Sequence, residues 1–171
     1  MLKHKSKTMA KNDAGKAITP QKALERLQYL CARQEKCTYD LVQKLRRWGL
    51  AQTDVDIIVG KLTSDGYVDD RRFAKLYVRE KSRINKWGPI KLRAMLASKG
   101  ISKEIIDVAL NELGNTDNKP NLFELLKKKM PHVKAANRFD LRNKLIRFGA
   151  SRGFALDEVI DEVNRLLGSD E

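Results

Sequence analysis

The residues most able to do chemistry in this 171-residue chain are its cations. Lys and Arg number 35 against 22 Asp and Glu, a formal net charge of +13. The excess is segregated: residues 71–103 hold eleven cations and one acid, and residues 119–152 hold ten and two. Residues 104–118 carry four acids and no cation, and residues 153–171 six acids and one cation. Solubility alone does not require such blocks. A segregated positive surface attracts polyanions, either a phosphate backbone or an acidic protein groove, with an affinity set by ionic strength.

Within the first block Arg72, Lys75, Arg79, Arg83 and Lys86 recur at spacings of three, four, four and three, which places five cations in one stripe of a helix. The expected apolar face beside them is Phe73, Leu76, Tyr77 and Ile84. Stacked like charges repel, and the only acid in this helix is Glu80. A solvated face would interleave Glu partners, so the stripe is read as facing a polyanion. Lys91 and Arg93 follow it, and Lys127, Lys128, Lys129, Lys134, Arg138, Arg142, Lys144, Arg147 and Arg152 continue the theme in the second block. Together they are expected to form one basic strip.

Catalytic chemistry has little to work with. Gly60-Lys61 is followed by Leu62 and lacks the earlier glycine of a phosphate loop. Asp69 and Asp70 are adjacent, so they project in different directions, and their place before an apolar-periodic run reads as helix capping. The histidines are His4 and His132, which leaves no Ser or Cys with a plausible base. Cys31 and Cys37 cannot close a four-ligand zinc site and are read as reduced core thiols. No enzyme activity, cofactor or metal is expected.

The elements that must position the cations repeat. Leu41, Leu45 and Gly49 share their spacing with Leu92, Leu96 and Gly100, and with Leu141, Leu145 and Gly149. An apolar pair one turn apart with a glycine beyond it reads as a short helix and its left-handed stop. A further helix follows each stop. Thr53 and Asp56 resemble a capping box before Val55, Ile58 and Leu62, and Ser102 opens Ile106, Ala109 and Leu113. The third copy inserts Ser151-Arg152-Gly153-Phe154 before Val159, Val163 and Leu166.

A longer helix precedes each pair: one opened by Thr19-Pro20, one by Asp69 or Asp70 and running to Gly88-Pro89, and one starting near Pro120 and interrupted at Pro131. No strand pattern competes. The expected architecture is all-α, three tandem three-helix repeats over residues 19–66, 67–114 and 115–168 in an elongated, curved array, because units this small must stack to bury their faces. Residues 1–18 read as a disordered basic tail and Gly114-Asn115-Thr116-Asp117-Asn118 as a linker. Trp48 and Phe148 precede the glycines as core anchors, while Trp87 is undecided between packing and base stacking. The helices after the glycines carry Asp54, Asp56 and Asp65, then Glu104, Asp107 and Glu112, then Asp157, Glu158, Asp161 and Glu162, so groove reading by a third helix is disfavoured. With no long apolar run and no signal-like core behind Lys3 to Lys16, the expected address is the cytosol.

Laid out this way, the chain resembles the RecX family of recombinase regulators. Gly66-Tyr67-Val68-Asp69-Asp70-Arg71-Arg72-Phe73-Ala74 is similar to that family's Gly-Tyr-Leu-Asp-Asp-x-Arg-Phe-Ala signature, with Val68 as a conservative departure. Trp87-Gly88-Pro89-Ile90-Lys91-Leu92 leading to Lys99-Gly100-Ile101, and Leu145-Ile146-Arg147-Phe148 leading to Arg152-Gly153-Phe154, are also similar to it, over about Pro20 to Leu167 in all. Asp40-Leu41 stands where members commonly have Glu-Leu. The resemblance implies a non-enzymatic, monomeric modulator that binds RecA nucleoprotein filaments, suppresses their growth, ATP hydrolysis and strand exchange, and in some members binds single- or double-stranded DNA. The signature residues Gly66, Tyr67, Asp69, Asp70 and Phe73, with Gly88, Gly100 and Gly149, are carried over as fold determinants. The other reading is a general helical DNA- or RNA-binding protein with no recombinase partner.

Overall fold

The computed structural model describes residues 18–114 and 121–168, and every regular element among them is helical. The lysine-rich segment before residue 18, the segment 115–118 expected as a linker, and Pro120 lie outside the described residues. The helices are α1 (Pro20–Arg33), α2 (Thr38–Arg47), α3 (Gln52–Ser64), α4 (Asp70–Asn85), α5 (Pro89–Ala97), α6 (Lys103–Gly114), α7 (Leu122–Lys129), α8 (Arg138–Arg152) and α9 (Leu156–Leu167). A short 3-10 turn, Met130–His132, ends α7 at Pro131.

Their extensive packing falls in threes, α1 with α3 and α3 with α2, then α4, α5 and α6 among themselves, then α7, α8 and α9. Each triple has its own buried cluster. Leu27, Leu41, Leu45, Val55, Ile58 and Leu62 fill the first. Phe73, Val78, Leu92, Leu96, Ile106 and Leu113 fill the second, and Leu126, Leu145, Phe154, Val159 and Val163 the third. The periodic leucines and valines read from sequence are therefore the core, with Leu141 and Leu166 partly buried at its edge, and apolar burial supplies most of the stability.

The first helix of each unit caps itself. Thr19 accepts from the Lys22 amide, Asp69 from the Arg71 and Arg72 amides at 2.8 and 3.1 Å, and Asn121 from the Glu124 amide. The second helices of the first two units do not follow suit. Cys37 and Gly88, which precede α2 and α5, offer no side-chain cap. The Thr38 amide donates instead to Asp70 Oδ1 of the next unit at 2.8 Å. Likewise the Gly88 amide donates to the Arg152 carbonyl and the Ile90 amide to the Gly153 carbonyl, at 2.8 and 3.0 Å. Orphan donors of one unit are thus satisfied by its successor. The second helix of the last unit, α8, is capped by its own Asn137.

Several expectations are corrected. Gly149 does not end a helix: α8 runs one turn further and stops at Gly153, whose φ is +89°. The four residues read as an insertion are close to one helical turn, so the apolar face is kept while the stop moves from Gly149 to Gly153. Gly149 serves instead as the close-packing point of α8 against Val159. Thr53 is inside α3, which starts after Ala51 with no side-chain cap. Asp70 is not the α4 cap; Asp69 is. Ile84 leaves the core and is 64% exposed, while Ala74 and Ser82 are buried with Phe73 and Val78, because the buried arc of α4 is centred nearer Ala74 than the sequence pattern implied.

Two measurements check this packing. Gly153→Ala is expected to cost more than about 2 kcal/mol in urea unfolding, since a Cβ there both demands a left-handed backbone and runs into Lys91, whereas Gly49→Ala, with the same sign of φ but open space, costs only about 1 kcal/mol. Burial pushes the Cys37 thiol up to about 11, so at pH 8 its thiolate fraction is on the order of one in a thousand. A maleimide or disulfide reagent is expected to modify the half-buried Cys31 first, and Cys37 only after unfolding.

Candidate nucleic-acid and filament interface

The α4 stripe forms on one helix face as its spacing requires, and all five members are exposed. Their surroundings differ. Arg72 Nε bonds Glu35 at 2.6 Å, and its Nη2 donates to the Gly66 carbonyl. Lys75 pairs with Glu112 of α6 at 2.6 Å. The carboxylates that pair with these two come from neighbouring elements. Arg79, Arg83 and Lys86 have no ion pair among the described residues, and Lys86 holds a left-handed backbone with φ of +55° at the end of the helix.

A second group of cations gathers where the middle and last units meet. Lys91 Nζ lies 4.9 Å from the Trp87 ring centre and Lys81 Nζ 5.9 Å from it on a neighbouring approach. Arg152 and Lys129 stand over the Phe148 ring at 5.1 and 5.5 Å. These separations fall within cation–π range. Arg152 also donates to the Asn85 carbonyl at 3.0 Å, and Lys91 Nζ to the Ser151 carbonyl at 3.0 Å, so the two halves of the group are tied across the junction. Aromatic faces and carbonyls hold these cations in place without cancelling their charge. Lys81, Lys91, Lys129 and Arg152 therefore remain available to an anion.

Other members of the expected strip are used inside the fold. Arg93 pairs with Asp107, Lys144 with Asp140, and Arg142 with the Asn164 side chain. Arg138 donates to the Leu167 and Gly168 carbonyls at the end of α9, where cationic donors are favoured by the helix dipole. Bonds from Lys103 and Arg93 hold the Asp107 carboxyl below its usual range, and the Lys144 bond with the Ala136 amide does the same for Asp140. Lys127, Lys128 and Lys134 are exposed without an ion pair among the described residues. Arg147 is exposed too, near enough to Asp140 to help lower it.

Lys81 lies outside the stripe spacing, and nothing in the sequence marked it. Its partner Trp87, undecided from sequence, packs half-buried against the middle core with its ring 6.4 Å from that of Tyr77. Trp48 and Phe148 are half-buried against the first and third cores. Asp69 and Asp70 are both occupied as caps, and the amides of Arg72 and Arg71 hold the Asp69 carboxyl low. Among the described residues no cluster of three His, Cys, Asp or Glu could hold a metal, and no helix is long and apolar enough to cross a membrane.

The family model described as "RecX, second three-helix domain" matches residues 69–110, which is α4 to most of α6. The regulatory protein RecX of Chlorobium phaeobacteroides (strain BS1) is 32% identical over 139 residues, covering 80% of this chain and 89% of that protein. The one of Clostridium tetani (strain Massachusetts / E88) is 33% identical over 138 residues, covering 80% and 62%. The one of Bacillus cytotoxicus is 30% identical over 136 residues, covering 80% and 50%, so the chain spans only about half of that longer relative. Two crystal structures share the fold: a regulatory protein RecX, with a TM-score of 0.73 at 24% identity over 85% of this chain and 73% of that one, and RecX from Lactobacillus salivarius, with 0.70 at 21% over 86% and 96%. With a relative 32% identical and covered to 89% of its length, the chain belongs to the RecX family of regulatory proteins.

Proposed function

We propose that this RecX-type regulator binds RecA–DNA nucleoprotein filaments through the cationic faces of its middle and last units, and thereby inhibits filament extension, ATP hydrolysis and strand exchange. It acts as a monomer in the cytoplasm, without catalysis of its own, and touches single- or double-stranded DNA more weakly and salt-dependently. The observation that carries this reading is the set of cations left without carboxylates. Arg79 and Arg83 sit one turn apart, Lys86 follows at the helix end, and Lys81, Lys91, Lys129 and Arg152 lie at the junction beyond. Charges of one sign without a paired carboxylate repel one another until an anionic surface neutralises them. A phosphate-coated polymer supplies that surface and releases counterions on binding.

The stripe also supports a plainer nucleic-acid binder with no recombinase partner. Titration of fluorescent DNA, bare and as a pre-formed RecA filament, separates the two, since tighter binding to the filament favours the first and equal affinity the second.

Reversing Arg79, Arg83 and Lys86 together to Glu is expected to leave helicity unchanged and to weaken inhibition of filament ATPase by about tenfold or more, with a salt dependence shallower by about three in log–log slope. Wild-type inhibition by that variant would contradict the assignment.

A further inference from the structure

The two junctions between units are built from different chemistry. Between the middle and last units the bonds end on backbone carbonyls, and two run backbone to backbone, from the Gly88 amide to the Arg152 carbonyl and from the Ile90 amide to the Gly153 carbonyl. There the chains approach so closely that a Cβ on Gly88 would strike the Gly153 peptide, and one on Gly153 would strike Lys91. The charged groups that cross it, Arg152 and Lys91, bond backbone carbonyls and not carboxylates, so no ion pair among the described residues holds this contact, and its shape leaves no room for sliding.

Between the first and middle units, the amides of Tyr67 and Val68 donate to the Leu62 carbonyl and Arg72 Nη2 to that of Gly66 at the connection itself, while the bonds that hold the far side, α2 and the α1–α2 loop, onto the middle unit all involve a carboxylate. Lys99 Nζ bonds both oxygens of Asp40, at 2.7 and 2.8 Å. Arg72 Nε bonds Glu35 at 2.6 Å, and Asp70 Oδ1 accepts from the Thr38 amide at 2.8 Å. Apolar linkage there is narrow: Cys37 of the first unit lies in the buried cluster of the middle one, and Val68 and Tyr67, at the connection, pack in that of the first. Such ion pairs weaken as salt rises, whereas backbone bonds in a packed contact hardly respond.

Arg72 belongs to both arrangements. It closes the first junction on Glu35, and it is the first member of the α4 stripe that continues through Arg79 and Arg83. We propose that the first unit is mounted on a charge-latched hinge, that the middle and last units move as one rigid body, and that an anionic polymer docking on the α4 stripe opens the latch. The polymer competes with Glu35 for Arg72 and repels Glu35 and Asp40 at once. Binding is therefore coupled to a change of shape, and the first unit is freed when the cationic face is occupied. The hinge itself stands on the two junctions alone; its trigger rests on the reading of the cationic face given above.

Single-molecule energy transfer on the full chain tests this, with dyes on bio-orthogonal residues so that Cys31 and Cys37 stay native. Ala32, Ala94 and Ala150 are exposed, one in each unit. Raising salt from about 0.1 to about 1 M is expected to broaden and lengthen the 32–94 distance and leave 94–150 unchanged. Asp40→Lys does the same at low salt, and adding Lys99→Asp to it restores the narrow distribution. A single-stranded oligothymidylate, its binding followed by anisotropy, also lengthens 32–94. A 32–94 distance indifferent to salt and to Asp40→Lys overturns the hinge. Oligothymidylate that binds without moving it overturns the trigger. Failure of the oligothymidylate to bind tells instead against the cationic face, and the salt and reversal arms still judge the hinge.

Discussion

A helix cannot begin inside a folded chain without something to receive its first amides, and in this molecule that need joins one unit to the next. The amide of Thr38 at the start of α2 finds its acceptor in Asp70, and those of Gly88 and Ile90 at α5 find theirs in the carbonyls of Arg152 and Gly153. The last unit has no successor among the described residues, and there Asn137 supplies the acceptor locally. Three small cores, each too slight to be very stable alone, are thereby strung into one chain of dependence.

The same contacts decide where positive charge is presented. Drawing the end of α8 up to the start of α5 sets Arg152 and Lys91 beside Phe148 and Trp87, so cations from two separate sequence blocks meet at one place. At the other junction the capping carboxylate sits among the ion pairs Arg72–Glu35 and Lys99–Asp40. Burial opposes the charge on Lys99, but the bond to Asp40 and the nearby Cys37 and Tyr77 outweigh it and raise its pKa, so the ammonium stays charged across the neutral range. Stability and binding therefore draw on overlapping sets of cations, and Arg72 serves both.

Much of the fold was legible in the sequence because it is governed by local periodicity. Leu41 and Leu45, Leu92 and Leu96, and Val159 and Val163 carry helical spacing that only a buried face explains, and Thr19-Pro20 and Asp69 are start signals with a local mechanism. The errors came where partners are distant in sequence. Gly149 and Gly153 are one turn apart and chemically identical, and only the approach of Val159 to one and of Lys91 to the other distinguishes packing from stop. The stripe on α4 was visible, but not that Glu35 and Glu112 would neutralise two of its five members, nor that Lys81 would join Trp87, because neither follows from spacing within one helix.

The exchange of caps is tested most directly by comparing Asp70→Ala with Asp69→Ala under residue-resolved amide hydrogen exchange. The account predicts that Asp70→Ala unprotects the Thr38 amide, in the preceding unit and 32 residues away, while the Arg71 and Arg72 amides keep the protection that Asp69 gives them. Asp69→Ala reverses the pattern. Loss of protection confined to the first turn of α4 in both variants, with Thr38 unaffected, would contradict it.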